Sequence, residues 1–108
     1  MSINSADHNL LAILQSHIGC SRGITANALA ELLGRDERQV RRLITHLRTD
    51  GIAICGTPRN GYYIDETAEE MEATCEFLRG RALHSLALES KLRKMTLGEL
   101  LGQMRINT

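Results

Sequence analysis

The chain has 108 residues, with 13 Lys+Arg against 13 Asp+Glu, 43% apolar and 24% charged side chains. That limits it to one small domain, with room for an appendage, and excludes bulk disorder. A net charge of zero argues against a uniformly basic nucleic-acid binder and removes one source of solubility, which favours a defined oligomer.

Aromatic residues are only 3% of the chain, with no Trp and a single proline, Pro58. The core must therefore come from Leu, Ile, Val and Ala, a composition that favours helices. Purely apolar runs are a few residues long, so no membrane span is expected. The N-terminal stretch lacks a basic region followed by an apolar one, so no secretory leader is expected. Three cysteines without a CxxC pair suit a reducing cytoplasm and argue against a disulfide scaffold or a zinc ribbon.

In chain order, Leu10, Leu11, Leu14, His17 and Ile18 recur at helical spacing, and Asp7 is placed to cap a first helix over about 7–18. Gly19 and Gly23 bracket the loop after it. Thr25 caps a short second helix, 26–33, with Leu29, Leu32 and Leu33 inward, and Gly34 stops it in the left-handed region. A third helix opens at Asp36 with Gln39 three residues on, a capping box, and ends before Gly51. Its Val40, Leu43, Ile44 and Leu47 form one apolar stripe. At ~100° per residue the opposite face carries Arg38, Arg42, Thr45 and Thr49, with Arg41 and Arg48 on one flank and Gln39 and His46 on the other. Two β-like runs, 52–55 and 61–64, are joined through 56–60, with Asn60-Gly61 as the turn signal. A ribbon directly after the third helix is a wing.

From Thr67 the pattern changes. Thr67-x-x-Glu70 opens a long helix over about 68–95. Its Met71, Cys75, Leu78, Ala82, Ser85, Glu89 and Leu92 step as a heptad seam that Ser85 and Glu89 interrupt. Thr96-x-x-Glu99 opens a last short helix with Leu97, Leu100, Leu101 and Met104.

Charge resolved by segment is far from neutral. Residues 1–21 carry only Asp7. Residues 22–64 carry seven Arg against four acids, a net +3. Residues 65–90 carry seven acids against two Arg, a net −5, and residues 91–108 carry four basic groups against Glu99, a net +3. All seven basic side chains of the first 64 residues are arginine, the residue that suits bidentate contacts to phosphate and guanine. The acids gather at the start of the long helix, where they complement its dipole.

Three helices and a two-stranded ribbon follow the winged helix-turn-helix layout. The segment 24–64 resembles the N-terminal DNA-binding domain of the biotin repressor and related winged helix-turn-helix regulators. Leu33-Gly34, the Leu47 to Gly51 spacing and Gly61-Tyr62-Tyr63-Ile64 match that family's pattern. The resemblance implies a mainly α fold: a winged helix-turn-helix domain over 5–64 and a helical extension over 65–108. The 44 residues after Ile64 are too few for a ligase or a typical effector-binding domain.

The function expected is sequence-specific binding of double-stranded DNA by a small dimeric regulator. A major groove ~12 Å wide accepts the third helix. Arg38 and Arg42, one turn apart near its start, are placed to read guanine, Gln39 adenine and Thr45 a thymine methyl. Arg41 and Arg48 face phosphates, Arg59 and Thr57 sit in the wing, and Arg22, Thr25, Asn27 and Arg35 lie where a second helix meets the backbone. The same arginines can also simply solvate a helix surface, with Glu37 and Arg41 paired at i, i+4. The long helix either folds back as a cap or dimerises through Met71, Leu78, Leu86, Leu92, Met95, Leu97, Leu100 and Leu101. A two-fold dimer would read half-sites ~34–36 Å apart. A different class stays open: an adaptor that docks a protein partner, for which the acidic start of the long helix offers a surface. No enzyme, cofactor or metal is expected. His17 and Cys20 have no second metal pair, Cys75 reads as a small core hydrophobe and Cys55 as structural, and no phosphate loop or nucleophile motif is present.

Overall fold

A computed structural model describes residues 5–104, and is mainly helical. Residues 1–4, read above as part of the N-terminal stretch, and Arg105, counted among the basic groups of the tail, lie outside the described residues. The elements run α1 (Ser5–Leu14), a single 3-10 turn (Cys20–Arg22), α2 (Ala26–Leu33), α3 (Glu37–Thr49), β1 (Ile54–Thr57), β2 (Gly61–Ile64), α4 (Ala68–Leu92) and α5 (Leu97–Met104). The chain forms two compact units, the first ending at Thr74 and the second beginning at Cys75, so the first turns of α4 belong with the helices and sheet before them.

The first unit is held by one apolar core. Leu10 and Leu14 of α1, Leu29 and Ala30 of α2, Val40, Ile44 and Leu47 of α3, and Ile24 and Ile54 are buried together. The α3 stripe is as its spacing predicts, with Leu43 half-buried at its edge. Leu32 is the exception: it is 63% exposed. In so short a helix Ala26, Leu29, Ala30 and Leu33 share the inward i, i+3, i+4, i+7 face, and Leu32 falls ~100° off it.

The start and end signals are mostly those of the sequence. Thr25 Oγ1 accepts from Ala28 N at 3.1 Å, and Gly34 ends α2 at φ +66. The Asp36 carboxylate accepts from Gln39 N at 2.8 Å, while Gln39 Oε1 accepts from Asp36 N at 3.1 Å, closing the capping box of α3. Thr96 and Glu99 cap α5 reciprocally. Between α4 and α5, Lys94 takes a left-handed conformation (φ 57), and Met95 N donates to Ser90 O across it.

Three expectations are corrected. Asp7 does not cap α1; it lies inside the helix and is fully buried, with a carboxylate oxygen 3.5 Å from His46 Nε2 of α3. α1 stops at Leu14 rather than near residue 18: Ser16 and His17 N close a final turn onto Ile13 and Leu14 O, and from His17 O onward the backbone bonds to β2. Gly19 N donates to Ile64 O and Ile64 N to His17 O, at 2.8 and 2.9 Å. His17 accordingly lies past the helix end, its ring nitrogen donating to Arg22 O, and Ile18 is exposed. Strand β1 begins two residues late, since Ile52 N donates to Leu47 O to close α3. It continues through Thr57, so only residues 58–60 form the hairpin tip.

β1 and β2 pair antiparallel, Ile54 opposite Ile64 and Thr57 opposite Gly61. The far edge of β2 takes a further partner. Ile24 N donates to Tyr62 O and Tyr62 N to Ile24 O, both at 2.8 Å. The opening of α4 is fixed to this sheet by Thr74, whose hydroxyl oxygen accepts from Gly56 N at 3.1 Å while buried beside Cys55 and Tyr63.

Glu70 does more than box its own helix. Its carboxylate accepts from Glu66 N (2.6 Å), Thr67 N (3.4 Å) and, fifty residues away in sequence, Cys20 N (2.7 Å). These donors, Cys20 N first, hold its pKa down at about 2. A carboxylate depressed in the fold stabilises above its unfolded pKa, and that contribution is lost as pH falls through the folded value. The Glu70→Gln variant is therefore expected to lose less stability than the parent between about pH 4.5 and 2. Denaturant titrations across that window check this; parallel curves would contradict it.

The second unit comprises the rest of α4 and α5, with Leu100 and Ser90 buried and Leu86, Met95, Leu97 and Leu101 half-buried. Along α4, Cys75 is exposed rather than a core residue, and Leu78 and Leu92 are also exposed. Beyond Thr74 the apolar and small seam positions Cys75, Leu78, Ala82, Ser85 and Leu92 are exposed, while buried Ser90 and half-buried Leu86 lie off the seam.

Candidate nucleic-acid interface

The exposed face of α3 is built by the same period that builds the core. With Val40, Ile44 and Leu47 inward, Arg38, Arg41, Arg42 and Thr45 are forced outward. Together with His46 they line one open depression on the surface. The sequence-predicted base readers Arg38, Arg42 and Thr45 are thus brought to one place, with Arg41 beside them.

Their engagement differs. Among the described residues, Arg38 and Arg42 make no hydrogen bond or ion pair, so both guanidiniums are uncommitted. Arg41 pairs with Glu37 at 3.1 Å, the i, i+4 contact that its spacing allows. Gln39 is exposed, but its side-chain oxygen is held by the capping box. A bidentate contact to adenine needs that oxygen free, so Gln39 is a helix-starting residue in this arrangement.

Arg48, expected at phosphates, turns inward. It is half-buried, its Nε donates to Ile54 O at 2.7 Å, and its guanidinium lies 5.8 Å from the Tyr62 ring centroid. One arginine thereby clamps α3 to both strands. The reason is where the flank falls: one residue before its end, α3 passes alongside β1, and a long side chain on that flank reaches the strand backbone rather than solvent.

The remaining predicted contacts lie outside the depression. Arg22, Thr25, Asn27 and Arg35 are exposed around α2, with the Thr25 hydroxyl acting as the cap. Arg59 is exposed at the hairpin tip, and Thr57 is half-buried, its hydroxyl oxygen accepting from Asn60 N at 3.2 Å.

His46 is the member of the site to which sequence reasoning assigned no contact. Its Nε2 stands 3.5 Å from carboxylate oxygens of both Asp50 and the buried Asp7. The i, i+4 spacing to Asp50 was a legible signal. The contact with Asp7 was not, because it joins residues of two helices, thirty-nine positions apart in sequence. His46 thus ties the lining of the depression to α1, next to two free arginines.

Among the described residues, no group of three His, Cys, Asp or Glu side chains is placed to hold a metal ion. No helix among them is long and apolar enough to cross a membrane. In comparison with known proteins, no family model matches the chain, and neither a curated protein nor a solved structure matches it.

Proposed function

We propose that the chain is a winged helix-turn-helix protein that binds double-stranded DNA in a sequence-specific way. On this reading α3 enters the major groove and the tip at 58–60 reaches the backbone or minor groove. The observation that carries it is the pair Arg38 and Arg42, one turn apart and uncommitted, on the outer face of a helix whose inner face is core. Each guanidinium is able to bond guanine O6 and N7 at once. The pairing of Ile24 with Tyr62 supports the winged layout, since it adds a strand-like segment between α1 and α2 to the edge of the hairpin. Arg59 then stands at the wing tip, as a phosphate or minor-groove contact. Three free cysteines suit a cytoplasmic regulator.

The adaptor reading rests on the acids of α4, of which Glu69, Glu72 and Glu76 are exposed. Selection of bound fragments from a random duplex DNA pool separates the two. Enrichment of one site containing guanines is expected. Equal retention of all duplexes, with only a salt-dependent affinity, would sink the sequence-specific reading and leave the adaptor.

A further inference from the structure

We infer that the chain pairs with a second copy of itself through α4, the two helices running antiparallel. The inference begins with a face that no described residue covers. Beyond Thr74 the seam positions Cys75, Leu78, Ala82, Ser85 and Leu92 are all exposed, Leu78 at 41% and Leu92 at 84%, and Leu88 beside them is 51% exposed. Their 3- and 4-residue steps keep them on one stripe of the helix. Off this stripe, Ser90 is buried and Leu86 half-buried within the second unit. Apolar side chains left bare in a row are the mark of a partner surface.

Charge says which partner and which way round. Glu69, Glu72 and Glu76 lie in the first third of α4, while Lys91 lies in its last turn and Arg93 and Lys94 just beyond it; Glu72 and Arg93 stand beside the stripe, and Glu69, Glu76 and Lys91 face away from it. A second copy lying parallel sets acids on acids and bases on bases. An antiparallel copy sets each acidic end over a basic one, twice, by the two-fold axis. With the axis midway between Leu83 and His84, Ala82 meets the partner's Ser85 and Cys75 meets the partner's Leu92. Glu72 then flanks the partner's Arg93. The two small residues at the centre let the helices approach closely there. Leu78 meets the partner's Glu89, whose carboxylate is already held by Arg93 at 2.7 Å, so its methylene stem is what faces the leucine. The interruptions of the heptad thus fall where an antiparallel register tolerates them.

Such a dimer relates two copies of α3 by a two-fold axis, and a DNA site read by both is an inverted repeat. Dimerisation itself is measured without DNA, so it stands or falls separately from the DNA-binding reading.

The test uses the full chain in sedimentation equilibrium over a wide concentration range. A dimer is expected, with Leu78→Glu monomeric at unchanged helical circular dichroism. Gly80→Ala, on the opposite side of α4 and with open space around the added methyl, should stay dimeric. Orientation is read with Leu92→Cys under mild oxidation. Peptide mapping is expected to find Cys75 bonded to the introduced cysteine of the other copy. A chain monomeric at the highest soluble concentration overturns the proposal, whether or not α4 captures another protein. Bonds joining Cys75 to Cys75 across copies overturn the antiparallel arrangement.

Discussion

Replacing Arg38 and Arg42 together by alanine is expected to reduce binding to the selected DNA site to the level of random duplex. Each arginine reading a guanine contributes about 1–3 kcal/mol, and tenfold in affinity corresponds to about 1.4 kcal/mol. Each single variant should also relax the preference at one base pair and leave the others intact. Stability should hold within about 0.5 kcal/mol, because neither side chain bonds to the rest of the protein. Arg48→Ala is the contrasting case. Its guanidinium bonds Ile54 O and stands over Tyr62, so its removal should destabilise the fold by about 1.5–3 kcal/mol, the range for hydrogen bonds to charged groups. DNA titrations and denaturant melts on the same four variants decide the matter. Unchanged affinity in the double variant, or an Arg48→Ala variant with weakened binding and wild-type stability, would reverse the assignment of roles.

That contrast shows how far local pattern reaches. Asp36 with Gln39, Thr25, Gly34 and the apolar stripe of α3 are legible because each rests on residues three or four apart, and the helix imposes that spacing. The outward face of α3 follows by subtraction once its inner face is known. What escapes is every feature made by distant segments meeting. Residues 17–24 lack a strand pattern, with Gly19 and Gly23 among them, yet they bond to β2 because its edge offers unpaired backbone groups. Arg48 lies on a flank by angle alone, and only the position of β1 decides that it turns in. Asp7 looks like a cap by residue type but is drawn inside, against His46. The α4 seam is legible as a stripe, while its exposure depends on which stripe the second unit buries, and no spacing within α4 encodes that. The zero net charge is the plainest case: it averages an arginine-bearing α3 and hairpin with an acid-rich start of α4.

Gly23→Ala is expected to be the most damaging single methyl addition in the first unit. Gly23 has φ −60 and ψ 151, a conformation that alanine adopts freely, so the cost is entirely steric. A Cβ there would stand 1.7 Å from the carbonyl oxygen of Asn60 and 2.8 Å from its carbon, both backbone atoms that no rotamer change can move. The segment must lift off β2, which breaks or stretches the two 2.8 Å bonds between Ile24 and Tyr62. Overpacking costs about 1–3 kcal/mol and each lost bond about 0.5–1.5 kcal/mol, so a loss of about 3 kcal/mol is expected from a total of about 5–15. Gly61 cannot give way on the other side, since it already takes φ +74 and lies against the Ile24 backbone. Gly34→Ala is the matched control. Its added methyl meets nothing within 4 Å, and only the left-handed φ of +66 opposes it, at about 1–2 kcal/mol. Chemical denaturation of both variants separates the two causes. If Gly23→Ala loses no more stability than Gly34→Ala, the close approach of residues 23–24 to the hairpin is not what holds the hairpin to the helices. If it loses more, and DNA affinity falls with it while Arg38 and Arg42 are intact, the hairpin must be set by this contact before α3 and the Arg59 tip can meet the same duplex.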